Sequence, residues 1–288
     1  MTISITLIKS IYFMSKYGNI IIGVIAVVAL IFSISAKNQT KSQSLADTVV
    51  EKGEIRIGYI IYPPLLSKDE STGQLSGVSY DLVEAAAKKL NLKTNWVEEV
   101  GWGSAIEGLK TKRYDILGTQ MWPNSARARE AVFSIAPMNS VIYPYVKAGD
   151  TRFNGNLSKL NSNQYSISAV DGEMATFIAK EDYPQAKLNA LPQLTSYSEV
   201  FLNILNGKAD VTFVEPSVAN GFLKTNAGAV VRVGNTPVRT FGNSFAFARG
   251  QDSMVAMWNV AISELINDGT VARTLEKYDV ASDYTLNR

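Results

Sequence analysis

The chain has 288 residues, 46% of them hydrophobic, with 28 basic and 26 acidic side chains and neither cysteine nor histidine. This is length for two ordinary domains or one large one, with enough apolar content for a true core. The missing residue types exclude disulfides, a lipid-modified cysteine, most zinc, copper and iron sites and the usual Ser-His and Cys-His nucleophile systems, so neither a metal nor a cofactor is expected.

Ile20 to Ile34 is almost continuously apolar, Lys9 and Lys16 precede it, and no acidic residue occurs before Asp47. Basic residues ahead of an apolar segment hold the amino end in the cytoplasm and send the remainder of the chain across the membrane. Residues 1–36 are therefore expected to be a signal peptide or membrane anchor, with the small residues Ser33 to Ala36 offering a cleavage site. The body should work on the periplasmic or extracellular side, in contact with the membrane only through residues 20–34 if these are retained. Beyond the leader, 26 basic and 26 acidic residues balance. A neutral body without lysine runs gives nucleic acid no electrostatic footprint.

Residues 37–50 begin polar and without periodicity and read as a linker. Glu54 to Tyr59 alternates as a strand does, and Tyr62-Pro63-Pro64 stops it. A turn at Lys68 to Gly73 leads into a helical pattern carrying Leu82, Val83, Ala86 and Leu90, with Ser79 placed to cap its start. A second strand is expected at Thr94 to Glu98, a second helix at Ser104 to Thr111, and a third strand from Tyr114 that Gly118 ends. After Gly149 a similar order returns: strand at Tyr165 to Val170, helix at Met174 to Lys180, strand at Leu188 to Leu191. Phe245 to Arg249 reads as a strand, and the helical pattern of Val255 to Ile266 breaks at Gly269. Strands alternating with helices predict a mostly parallel sheet with helices on both faces.

The segments 104–118 and 199–214 echo one another, each a helix ending in a lysine-bearing turn, then Asp115 or Asp210, then a strand. Two similar lobes are expected, with ligands met by the loops beyond the carboxyl ends of the strands, after Ile57, Leu117, Val170 and Val214. The stretch Arg113 to Ser134 suits such a loop. Its strand delivers Pro123, Asn124 and Ser125, turn and helix-start residues, and then Arg127 and Arg129. A planar guanidinium is the preferred group for gripping a carboxylate or phosphate at two points.

Taken in order, Glu54 to Gly58 with Tyr62-Pro63-Pro64, Gly77 to Leu82, the Trp102 segment, Lys112 to Ile116, Arg127-Ala128-Arg129 with Phe133-Ser134, Val214-Glu215-Pro216 and Leu265 to Thr270 form a recognisable series. Over Gly53 to Val280 the chain resembles the family 3 extracellular solute-binding proteins, the substrate-capturing components of polar amino-acid ABC transporters. The resemblance implies an α/β fold of two Rossmann-like lobes joined by two hinge strands, as in type II periplasmic binding proteins. Lobe 1 would be discontinuous, at 51–140 and 241–288, and lobe 2 would lie at 141–240, with crossings near Val141 to Val146 and Thr236 to Gly242. The ligand would sit between the lobes.

By the same resemblance Arg127 stands where the family pairs an arginine with a ligand α-carboxylate, and Glu215 where a carboxylate receives an α-ammonium group. Tyr62 and Trp102 match stacking aromatic positions, and Gly172 with Glu173 matches a loop whose backbone N–H groups grip the carboxylate. Thr119 and Asn124 complete the expected ligand-binding set. Departures are also legible: Asn124 replaces a hydroxyl, Trp122 adds bulk, Ser79 replaces the first aspartate of a motif that keeps Asp81, and Asp171, Glu173 and Glu215 form an acidic cluster suited to a cationic group.

The expected function is capture of a small charged solute, amino acid or amino-acid-like, carrying a carboxylate and a cationic group, by a monomer that hands it to an ABC permease without catalysis. Two other functions compete. One is a cyclohexadienyl-dehydratase-like lyase on the same fold, with Glu173 or Glu215 as general acid or base. The other is a sensory module tethered through Ile20 to Ile34.

Overall fold

The computed structural model describes residues 43–287, so the expected leader and most of the expected linker lie outside the described residues. No helix among those described is long and apolar enough to cross a membrane. Ser44 caps the first helix, α1 (Leu45–Lys52), in a reciprocal capping box with Asp47. The polar stretch read as linker is therefore helical from Leu45, because that box satisfies the helix's opening N–H groups.

The chain continues through β1 (Glu54–Tyr59), a short hairpin β2 (Ser67–Lys68) and β3 (Leu75–Ser76), α2 (Val78–Lys89), β4 (Lys93–Glu99), α3 (Ala105–Lys110), β5 (Ile116–Met121), α4 (Ser125–Ala128), β6 (Ala131–Phe133) and β7 (Met138–Lys147). Next come β8 (Ser166–Val170), α5 (Met174–Asp182), β9 (Lys187–Leu191), α6 (Tyr197–Leu205), β10 (Val211–Val214), α7 (Pro216–Leu223), β11 (Val230–Arg232) and β12 (Arg239–Ala248). The chain closes with α8 (Asp252–Asn267), α9 (Thr270–Lys277) and β13 (Tyr284–Leu286).

Two expected boundaries move, each for a packing reason. Helix α2 starts at Val78 with Gly77 as its cap, and the Ser79 hydroxyl is buried and donates to Gln120 Oε1 at 3.2 Å instead of capping. Strand β5 runs through Gly118 to Met121, buried at every residue. Glycine serves there to admit neighbours, since a Cβ at Gly118 would come within 2.5 Å of Ile57 Cγ2 and 2.7 Å of the Trp96 ring.

The sheet order is β4-β1-β5-β12-β7-β10-β8-β9. Strand β1 pairs in parallel with β4 and β5, and β8 pairs in parallel with β9 and β10. The two parallel sets form the sheets of two α/β lobes. Between them lies the antiparallel pair β7 and β12, with Met138 to Ile142 against Asn243 to Arg239. Strand β12 also pairs with β5, and β7 with β10. On the first sheet, Trp258 of α8 is fully buried with its ring edge-on to Phe245 and Phe247. In the second, Ile167, Ala169, Val211 and Phe213 pack with Ala175 and Ile178 of α5. Burying an aromatic or branched side chain of this size stabilises a fold by about 1.5–3 kcal/mol.

The lobes repeat one device. Asp115 N donates to Arg56 O and Asp115 Oδ2 accepts from Arg56 N, both at 2.9 Å. Asp210 N donates to Ser166 O at 2.9 Å and Asp210 Oδ2 accepts from Ser166 N at 2.8 Å. Each aspartate thus clasps the first strand of its lobe in the same two-bond ring, as the echo between the two sequence segments suggested. Asp115 also takes the Arg56 guanidinium, with Nη2 to Oδ1 at 2.7 Å. Asp115→Ala is expected to lower unfolding free energy by about 1–3 kcal/mol, since it orphans a backbone donor and a guanidinium. Urea unfolding checks this, and an unchanged midpoint would discard the clasp.

Candidate functional site

Six side chains meet between the two lobes, and each comes from the connection that follows the carboxyl end of a parallel strand. Tyr62 follows β1, Trp102 follows β4 and Arg127 follows β5; Glu173 follows β8, Tyr197 follows β9 and Glu215 follows β10. This is where open α/β sheets place ligands, since the helix amino ends and loops converge there. All except Tyr197 fall below a tenth exposed.

Arg127 supplies the cluster's cation. Asn124 caps α4 by accepting from Arg127 N at 2.8 Å, which fixes the backbone that presents the guanidinium. Nη1 donates to Trp122 O at 2.8 Å, and Nη2 reaches the other lobe to donate to Gly172 O at 3.0 Å. The guanidinium carbon stands 5.3 Å from the Phe177 ring centre and 6.0 Å from that of Trp102. Burial lowers its pKa to about 10, with the charge of Glu173 opposing the shift.

Two buried carboxyl groups share the site, and Glu173 is the one whose charge acts on Arg127. Glu173 is the cap of α5, its Oε2 accepting from Ala175 N at 2.8 Å. Burial raises this carboxyl to about 7 against the pull of the Ala175 and Met174 N–H groups and of Arg127. Glu215 Oε2 accepts the Tyr62 hydroxyl from across the cleft. Burial raises Glu215 to about 8, with the Tyr62 bond opposing and the neighbouring Glu173 adding. Both stand well above the ordinary carboxylate range because desolvation penalises the charged form.

Aromatic walls complete the cluster. The Tyr62 ring meets Trp102 edge-on at 5.4 Å and Tyr197 edge-on at 4.6 Å. Glu173 Oε1 and Glu215 Oε1 are buried here without a hydrogen-bond partner, whereas Trp102 Nε1 and the Tyr197 hydroxyl lie against each other. The two free carboxyl oxygens are acceptors, so they suit a molecule carrying N–H groups. Trp102 and Tyr197 also reach a groove of about 530 Å³ between the lobes, whose rim includes Lys68, Glu70, Gln193 and Leu194.

The lobes touch closely at two glycines. A Cβ on Gly172, whose φ is +77°, would lie 2.6 Å from Gly103 N and 2.7 Å from Gly103 Cα. Gln193 covers Gly101 and Gly103 from the second lobe and donates through Nε2 to Asp171 Oδ2 at 3.2 Å.

Of the residues singled out in the sequence, Arg127, Glu215, Trp102, Tyr62, Gly172 and Glu173 converge. Thr119 stands apart: its hydroxyl donates to Ile60 O and accepts from Ile60 N, so it stitches β5 to the chain after β1. Asn124 acts on Arg127 as its cap. Asp171 is exposed at the rim, outside the buried pair of carboxyls. Trp122 turns away, stacked on Phe241 with its Nε1 donating to Asn243 Oδ1 at 2.7 Å, and so braces the antiparallel pair instead of filling the cleft. Tyr197 was missed in the sequence. Its signal was the same strand-end rule applied after Leu191.

Comparisons with known proteins bear on the family and the fold. Residues 55–280 match the bacterial extracellular solute-binding proteins, family 3. The chain is 23% identical over 247 residues to the L-cystine-binding protein TcyA of Bacillus subtilis (strain 168), covering 84% of this chain and 87% of that protein. It is 24% identical over 231 residues to the lysine/arginine/ornithine-binding periplasmic protein of Escherichia coli (strain K12), covering 78% and 86%. Among solved structures, the ancestral amino acid-binding protein AncCDT-1, a precursor of cyclohexadienyl dehydratase, superposes with a TM-score of 0.72 at 27% identity over 82% of this chain and 99% of that one. An ancestral arginine-binding protein bound to arginine gives 0.68 at 25% identity over 78% and 98%.

Proposed function

From the premise that the chain belongs to the bacterial extracellular solute-binding proteins of family 3, we propose that its solute is a small cation of amino-acid or amino-acid-derived type held among Tyr62, Trp102, Tyr197 and the two buried carboxyls. The family is one of extracytoplasmic binding proteins that serve ABC permeases, not of enzymes. The observation carrying the ligand class is charge: one buried guanidinium and two buried carboxyls share an aromatic enclosure. Glu215 receives the positive group, Arg127 compensates a carboxylate, and the rings exclude water. A relative named for binding lysine, arginine and ornithine supports a cationic solute.

We divide the lobes at the antiparallel pair, with residues 51–140 and 241–288 in the first and 141–240 in the second. Strands β7 and β12 are then the hinge. The solute touches both lobes, and this differential contact is what favours the closed state over an open one.

Affinity for a cationic solute is expected to rise with pH between about 6 and 9, as Glu173 and Glu215 ionise near 7 and 8. The other titratable groups facing them, Arg127, Tyr62, Tyr145, Tyr197 and Tyr284, keep their protonation over this range. Near neutral pH, binding should release protons. Calorimetry in buffers of different ionisation enthalpy, with lysine, arginine, ornithine and their amines as probes, tests both statements. Silence across these probes from folded protein removes the cationic reading, and a flat pH profile removes the role of the two carboxyls.

A further inference from the structure

The amino end of α5 is set into the cleft, and the free N–H groups of a first helical turn are a ready seat for an anion. In this chain the seat is taken by the protein itself. Glu173 Oε2 caps Ala175 N–H at 2.8 Å, and the same carboxyl is drawn towards Met174 N–H and Arg127. Arg127, the cation that would otherwise fork onto a ligand carboxylate, gives Nη1 and Nη2 to the carbonyls of Trp122 and Gly172. The helix end is thereby capped within the chain, and two of the five N–H groups of Arg127 are already given to backbone carbonyls. An incoming carboxylate would meet Glu173 as a like charge away from water, where such a juxtaposition is most costly.

The unpartnered atoms point the same way. Glu173 Oε1 and Glu215 Oε1 are acceptors that suit the N–H groups of an ammonium or guanidinium. With both carboxyls ionised against Arg127, the cluster carries one negative charge in excess, which a single cationic group cancels without needing a carboxylate beside it.

We propose that Glu173 is a built-in carboxylate standing in for a ligand's own, so that the cleft selects amines, guanidines or amino-acid amides over the corresponding α-carboxylates. The inference rests on the cleft being the solute site as proposed above, and it adds what the other end of the solute must be.

Matched series test it: arginine, argininamide and agmatine, and lysine, lysinamide and cadaverine, titrated calorimetrically into the purified protein at about pH 8.5, where both carboxyls are ionised. The members without a carboxylate are expected to bind at least about tenfold tighter than the parent amino acid. Glu173→Gln, whose amide oxygen can still cap Ala175, should shrink that ratio below about threefold by admitting the carboxylate, and Glu173→Thr, another capping side chain, should do the same. Tighter binding of the parent amino acids by wild type, or a ratio unmoved in a folded variant, overturns the inference and leaves the cleft reading intact. Binding of no member by folded wild type overturns both. Should neither variant fold, the wild-type ratio decides alone.

Discussion

Replacing Glu215 by glutamine is expected to abolish tight capture of a cationic solute while leaving the ligand-free protein as stable as wild type or more so. The carboxyl is wholly buried, its Oε2 takes the Tyr62 hydroxyl and its Oε1 has no partner. Glutamine keeps an oxygen for Tyr62 but loses the charge, and truncating one partner of a buried charge pair costs about 2–5 kcal/mol, roughly 30-fold in affinity or more. Stability follows from the sign of the shift. A carboxyl raised to about 8 in the fold holds its proton where the unfolded chain, with a carboxyl near about 4.3, has lost it. Its contribution to stability is therefore full at low pH and is lost as pH rises through that window. Glutamine cannot ionise, so the variant should escape this loss. Titration calorimetry and thermal unfolding at acid and alkaline pH read both effects together. Unchanged affinity would remove Glu215 from the site.

How far the sequence reached depends on what kind of signal each residue left. Alternation and helical spacing located the repeated strand and helix units, and the Asp115 and Asp210 clasps show that the echo between the halves had a physical basis. In most places where the structure departs from expectation, the deciding contact came from distant parts of the chain. Gly118 looks like a stop until Trp96 and Ile57 press against it from neighbouring strands. Ser79 looks like a cap until Gln120 claims its hydroxyl. Asn124 and Thr119 lie in the right segment, yet other bonds use both side chains, Asn124 on nearby Arg127 N and Thr119 across the sheet on Ile60. Trp122 looked like bulk in the cleft, but its partners Asn243 and Phe241 come from β12, more than a hundred residues later. The acidic cluster was legible as composition, whereas the division into buried Glu173 and Glu215 and exposed Asp171 depends on how α5 meets the opposite lobe.

That meeting point gives the second large effect, expected for Gly172→Ala. At φ +77° an alanine is strained in either lobe arrangement, at a cost of about 1–2 kcal/mol. A second cost falls only on the closed arrangement, where the new methyl would stand 2.6 Å from Gly103 N and 2.7 Å from Gly103 Cα, backbone atoms that have little room to give way. The same contact would disturb the bond from Arg127 Nη2 to Gly172 O, the guanidinium's link between lobes. Apparent affinity scales with the fraction of protein able to close, so a closed state disfavoured by a further ~1.4 kcal/mol or more weakens binding about tenfold or more. Each lobe keeps its own sheet, and the variant should remain folded. Gly103→Ala is the contrasting control. Its methyl would meet the amide end of Gln193 at 2.4 Å, a flexible side chain that can turn aside, so its loss should be several times smaller. Solution scattering should show Gly172→Ala more open than wild type under a saturating cationic probe. Equal affinity and equal compactness in the two variants would mean that this glycine contact does not control closure.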